Sequence, residues 1–291
     1  MSNSDSDTLQ RFLFEALAAR GEAVHLHTTW QTVLARRAYP PAVRQVLGEA
    51  LAAAALLATT IKFDGTLTLQ IQASGPLRLL VVQVSATRGL RGLARWDGEP
   101  APAPLRELCG NGTLVLSIEY QPGREPYQGM VGLHGDSLAA ALESYFAHSE
   151  QLPTRIRLAA DADTAAGLLL QQLPGATSQD PDGWNRLEML AATLDAAELL
   201  ALDNTTLVHR LFHQEDLRLF AAEPLHFHCS CSRERTAGML RTLGEADLRQ
   251  ALAEQGALHV DCEFCGHRYS FDAIDIAGLF TAALATPITR H

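Results

Sequence analysis

Little in this chain points to a lipid, nucleic-acid or phosphate ligand. No apolar run is long enough to span a bilayer: the most apolar stretch, Ala50 to Ile61 (ALAAAALLATTI), is uncharged for about twelve residues, against the ~20 that a spanning helix needs. Arg44 and Glu49 precede it and Lys62 closes it, so a buried, alanine-rich helix is expected there and no membrane partner. Basic charge is also short, with 23 Lys and Arg against 33 Asp and Glu, a net charge of −10 and a pI near 5.5. That balance argues against a phosphate backbone as the main partner. Glycine-rich phosphate loops are missing, since GNGT at Gly110 lacks the flanking lysine and helix and reads as a turn. No Ser/His/Asp order or carboxylate pair stands out, and an enzyme is not expected.

The N-terminus, MSNSDSDTLQRF, has neither a basic start nor an apolar core, so a secretory signal is not expected and a cytoplasmic location is. Cysteine is scarce, at five in 291 residues. In a reducing compartment, cysteines that occur in pairs suggest metal or redox chemistry rather than structural disulfides.

The chain is long enough for two domains. Its pattern indicates an α+β fold, with strands joined by short turns and helices in separate stretches. Helical spacing with a closing glycine predicts a helix over Arg11 to Gly21. The PPAVRQVLGEALAAAALLATTIKF segment, opened by prolines, predicts a second. Alternation predicts a hairpin from Thr66–Gln72 and Leu77–Val84 around Ser74-Gly75-Pro76. A second is predicted from Thr113–Tyr120 and Tyr127–Leu133. A helix capped by Asp136 is expected over Ser137 to Ser149, then strands at RIRLAA and AGLLLQQL. Together these make an N-terminal domain, 1–176, of largely antiparallel sheet with packed helices.

PGATSQDPDGW (Pro174 to Trp184) marks a boundary. Beyond it a helical linker, 177–224, is expected, with one helix over Asn185 to Leu202 and another, capped by Asn204, over Asn204 to Gln214. It shows little core of its own and must lean on something. Strands at LRLF and LHFHC, helices stopped by Gly244 and Gly256, and a hairpin over ALHVDCEFCGHRYSFD follow. The C-terminal domain is placed at 225–291. A unit this small needs a staple beyond apolar burial.

Four cysteines supply one. Cys229-x-Cys231 and Cys262-x-x-Cys265 lie thirty residues apart. Zn²⁺ takes four soft ligands tetrahedrally in structural sites, and two close pairs on separate segments offer that set. Gly266 after Cys265 suits a tight turn that curls backbone towards sulfur. His226, His228, His259 and His267 lie nearby but are not needed to complete the shell. Cys109 reads as a buried, inert thiol. Arg233-Glu234-Arg235 is read either as charge beside the thiolates or as a solvated helix start. Three functions use such cysteines: a redox zinc switch, a zinc ribbon binding nucleic acid or protein, and a thiol oxidoreductase.

The stretches CSCSRERT (Cys229 to Thr236), Cys262 to Gly266, AIDIAGL (Ala273 to Leu279), RFLFE (Arg11 to Glu15), YFAHSEQLPT (Tyr145 to Thr154) and GLLLQQLP (Gly167 to Pro174) together resemble the redox-regulated 33-kDa heat-shock chaperone family of bacterial holdases. Ala166 stands where that family often carries a second glycine. The resemblance implies one Zn²⁺ per chain on Cys229, Cys231, Cys262 and Cys265 in a reduced, inactive form. Oxidative stress, with heat, forms the disulfides Cys229–Cys231 and Cys262–Cys265 and expels the metal. A metastable linker then unfolds, the chain dimerises, and unfolding client proteins are held without ATP.

Overall fold

The computed structural model describes residues 7–60, 63–120, 125–133, 135–173 and 180–281. Its elements fall into two units, Met1–His228 and Cys229–His291. The first contains β1 (Thr8–Phe14), β2 (Ala19–Leu26), α1 (Thr28–Leu34), α2 (Pro41–Thr60), β3 (Thr66–Ala73), β4 (Leu77–Ser85), β5 (Gly89–Trp96) and α3 (Leu105–Cys109). It continues with β6 (Gly112–Glu119), β7 (Tyr127–Gly132), α4 (Leu138–Tyr145), β8 (Thr154–Ala160) and β9 (Ala165–Gln172). After these come α5 (Gly183–Ala192), α6 (Ala196–Ala201), α7 (Asn204–Phe212), β10 (Arg218–Leu219), β11 (Glu223–Pro224) and β12 (His226–Phe227).

Two sheets enclose α2. One runs β10-β1-β2-β9-β8, with β11 also on β1; the other runs β12-β5-β4-β3-β6-β7. All their pairings are antiparallel except β12 on β5. α2 is long and apolar enough to cross a membrane by length and composition, yet every residue from Ala50 to Ala58 is buried between the sheets. Its small side chains let strands approach closely. A Cβ on Gly48 would lie 2.4 Å from that of Ala160.

The expected helix over Arg11 to Gly21 is instead the β1–β2 hairpin. Leu9 faces the α2 core while Phe12 and Phe14 face a second apolar cluster on the opposite side of the same sheet. A strand buried on both faces loses the two-residue alternation that identifies strands. Gly21 does not stop a helix. It sits across from Phe12, whose ring would collide with a Cβ there at 2.1 Å.

Four smaller expectations also change. α4 ends at Tyr145, continues as a wider turn over Phe146–Glu150, and is capped by Ser137, which accepts the Ala140 N–H at 3.2 Å. Asp136 pairs with Arg106 instead, at 2.9 Å. The single helix over Asn185 to Leu202 is broken into α5 and α6 by Asp195, whose carboxylate accepts the Glu198 N–H at 2.8 Å. Asp203, not Asn204, caps α7, and the Asn204 amide reaches back to the Thr8 carbonyl at 3.0 Å. LRLF contributes only the two-residue β10. The PGATSQ part of the boundary, 174–179, lies outside the described residues.

α5–α7 occupy the outer face of the first sheet. Leu187, Leu199, Leu207, Leu211 and Phe212 are buried against Phe12, Phe14, Leu168 and Leu170. The Phe212 ring stands 5.3 Å from that of Phe14 and 5.8 Å from that of Phe12. Downstream, Glu223 pairs with Arg11 at 2.7 Å and Arg88 at 2.8 Å, which pins β11 to the sheets.

The second unit holds α8 (Arg233–Leu243), α9 (Glu245–Gln255), β13 (Leu258–Asp261), β14 (Arg268–Phe271) and α10 (Ala273–Thr281). Among the described residues, Ala237, Leu240, Leu248, Leu258, Phe271, Ile276 and Leu279 form its buried apolar core.

Candidate metal centre

The β13–β14 hairpin carries the second cysteine pair in its turn. The Cys262 N–H bonds to the His267 carbonyl at 2.9 Å, and the Gly266 N–H to the Cys262 carbonyl at 2.7 Å. Gly266 has φ +70°, a conformation that costs glycine nothing and burdens any side chain. Curling the backbone this way aims N–H groups at sulfur: those of Cys265 and Phe264 at the Cys262 thiol, and that of His267 at the Cys265 thiol.

The first pair lies in extended chain ahead of α8. Ser232 caps that helix by accepting the Arg235 N–H at 3.2 Å. Arg233 fixes the segment from the other side: it pairs with Asp275 at 2.7 Å, donates to the Ser270 carbonyl at 2.7 Å and stacks 4.4 Å above the Phe271 ring. Arg235 donates to the Ser230 carbonyl at 2.7 Å. The Arg-Glu-Arg run thus serves the helix start and its local anchoring.

These two anchors bring the four sulfurs together. Cys229, Cys231, Cys262 and Cys265 place their Sγ atoms within 4.8 Å of one another, all half-buried. The short separations run across the pairs: Cys229 to Cys262 at 3.6 Å and Cys231 to Cys265 at 3.4 Å. All five cysteines of the chain are thiols rather than disulfides. A tetrahedral thiolate site with ~2.3 Å metal–sulfur bonds requires sulfurs ~3.8 Å apart, so this set fits a metal ion. The group contains four sulfurs and no imidazole. His259 bonds Ser270 at 2.9 Å, and His267 packs on Tyr269.

Burial makes Cys262 and Cys265 poor thiolates on their own. Burial, and then the neighbouring thiols, push Cys265 up to about 12, and burial raises Cys262 as well. The Tyr269 hydroxyl donates to the Cys231 sulfur at 3.2 Å, a contact that sequence spacing did not reveal. Cys109 lies elsewhere, buried at the end of α3, and burial lifts its thiol to about 11.

A family profile described as Hsp33 protein matches residues 7–272. The chain belongs to the Hsp33 family. The 33 kDa chaperonin of Ectopseudomonas mendocina is 53% identical over 295 residues, covering 98% of this chain and 100% of the relative. That of Nitrosococcus oceani is 48% identical over 290 residues, covering 99% and 100%. The crystal structure of the Thermotoga maritima 33 kDa chaperonin, an Hsp33 homologue, superposes with a TM-score of 0.81 at 22% identity over 96% of this chain and 99% of that one. Hsp33 is a family of chaperones, and the resemblance read from the sequence is borne out. So is the α+β fold, with its four-cysteine cluster in the C-terminal region.

Proposed function

We propose that this Hsp33 chain is a redox-regulated, ATP-independent holdase, silent when its four cysteines are reduced and hold Zn²⁺, and activated by oxidation. The observation that carries the reading is the joining of two distant segments by four sulfurs in a unit whose described residues include seven in a buried apolar core. Four soft sulfur donors in a tetrahedral arrangement favour zinc among the common divalent ions. Zinc bound there would link the two segments with ~10–16 kcal/mol of apparent free energy, comparable to the ~5–15 kcal/mol stability of a whole domain.

Oxidation removes the donors. Each pair of zinc-binding thiolates, Cys229–Cys231 and Cys262–Cys265, would lose two electrons as one S–S bond forms; hypochlorous acid takes the electrons and leaves as chloride and hydroxide. Bonds within pairs close loops of a few residues and leave the two segments unlinked, so they do not replace the lost cross-link. The unit then unfolds. The helical stretch over 177–224 acts as a metastable linker that follows it. Its release uncovers the apolar faces of α5–α7 and of the sheet beneath, where Phe12, Phe14, Leu168 and Leu170 now lie covered, and such surface binds unfolding clients. The activated form is a homodimer working in the cytoplasm.

The sign of the metal dependence tests this. Aggregation of a thermally unfolding client is followed by light scattering with zinc-loaded, reduced chain and with chain oxidised and stripped of metal. Suppression only by the second supports the holdase. Activity only in the first would make the metal a structural support for a binding module.

A further inference from the structure

Among the described residues, the first unit covers the outer side of each long flanking strand except one. β1 is covered by β10 and β11, and β5 by β12. The outer edge of β8 lies under α4, where the Glu143 carboxylate accepts the Ile156 N–H at 2.7 Å, and Arg155 and Arg157 add charge along it. β7 pairs with β6 on one side and, among the described residues, with no strand on the other. Its sequence, YQGMVG, contains no charge and no proline, the two usual devices for blunting an exposed edge. Met130 is 66% exposed.

The ladder fixes which groups are open. The Leu133 N–H bonds to the Gly112 carbonyl at 3.1 Å. Counting back in twos, Val131, Gly129 and Tyr127 direct their backbone groups at β6, so Gln128, Met130 and Gly132 direct theirs outward. Beside this edge lies a cleft of about 190 Å³ walled by Leu116, Ile118, Tyr120, Tyr127, Tyr145 and Phe146. It exceeds the ~150 Å³ of a cavity that admits a benzene ring. Two tyrosines are held rigidly in it, with Tyr127 and Tyr145 donating to the Glu150 carboxylate at 2.8 and 2.9 Å. Gly129, on the cleft-facing side of β7, leaves that wall low: a Cβ there would meet the Tyr145 hydroxyl at 2.8 Å.

We infer that the open edge of β7 and the adjoining tyrosine cleft form a docking site for one extended segment of an unfolded client chain. The segment adds as a strand through the backbone groups of Gln128, Met130 and Gly132, with an aliphatic or aromatic side chain entering the cleft. An extended chain is the occupant that matches a row of unpaired backbone donors and acceptors. Backbone pairing suits a chaperone because every unfolded protein offers the same partner groups, and alternate side chains of an added strand fall on the cleft side. This rests on the holdase reading and deepens it.

Met130→Pro tests the edge, since it removes an outward N–H that the β6–β7 ladder does not use. Met130→Lys tests it without altering the backbone. The probe is fluorescently labelled, reduced and carboxymethylated α-lactalbumin, which stays unfolded in native buffer. Its binding to the oxidised full-length chain is measured by anisotropy, alongside amide exchange over residues 127–132. Both variants are expected to bind about tenfold more weakly while releasing metal as the wild type does, and the outward amides of the wild type are expected to slow on complex formation. Equal affinity in both variants, or outward amides that stay unprotected with the probe bound, overturns the assignment. So does protection that grows with the chain's own concentration without probe, which would give the edge to a second copy. A wild-type chain that binds no probe in any redox state overturns the holdase reading itself.

Discussion

Replacing Phe212 with alanine should switch the chain on without an oxidant. Phe212 is fully buried at the end of α7 and interlocks with Phe12 and Phe14, on the strand that α7 covers. Removing a buried phenylalanine side chain costs ~3–5 kcal/mol, which is roughly two to three and a half orders of magnitude in the equilibrium between docked and released α5–α7. Local opening energies run from near zero to the global stability, so a loss of this size takes away much of what holds the segment down. Hydrogen exchange over residues 183–212, in the reduced, zinc-loaded protein, should accelerate by two or more orders of magnitude, while β3 and β4 keep wild-type protection. The same sample should suppress client aggregation with no oxidant present, and Phe212→Leu should do so weakly. Unchanged exchange over 183–212 would refute the reasoning, as would faster exchange without any holding activity. Equal loss of protection in β3 and β4 would mean that the whole unit, not the segment, had opened.

Other expectations follow from single groups. Cys265→Ser removes one of four sulfurs and should cut zinc content sharply and melt the second unit, seen as collapsed amide dispersion, with the first unit intact. Cys109→Ser should leave the oxidant response unchanged, because burial holds that thiol protonated up to about 11 and thiolate is the reactive form; a shifted oxidant threshold would count against this. Glu22 is buried with one unpartnered carboxylate oxygen, and burial, against Arg20, Arg11 and Arg88, raises it from 4.5 to about 7. The folded chain therefore holds this proton more tightly than the unfolded chain. That stability is complete below about pH 4.5 and is lost as pH rises to about 7. Glu22→Gln should gain on the wild type across that window, reaching about 3 kcal/mol above it; an offset independent of pH would contradict the assignment.

How much could be read from the sequence depended on what each segment faces. The hairpins over Thr66–Val84 and Thr113–Leu133 were legible because one face of their sheet is solvated and alternation survives. β1 and β2 were not, because Leu9 and Phe12 bury on opposite faces. The break between α5 and α6 did leave a signal, Asp195-x-x-Glu198, a capping pattern hidden within an apolar, alanine-rich run. The cysteine pairs were plain from spacing because metal knuckles are local. The sulfur contacts across the pairs, the Tyr269 hydroxyl on Cys231 and the anchoring of Arg233 on Phe271 and Asp275 arise only from tertiary packing. Charge-free β7 reads as an ordinary strand until the sheet order puts it at an edge.

The most direct measurement of the central claim follows zinc release, by a chromogenic chelator, and client light scattering in one cuvette during hypochlorite titration at elevated temperature. Zinc is expected to leave and scattering to fall over the same oxidant range, and reductant with zinc to reverse both. Zinc release with no gain in holding activity would contradict that claim.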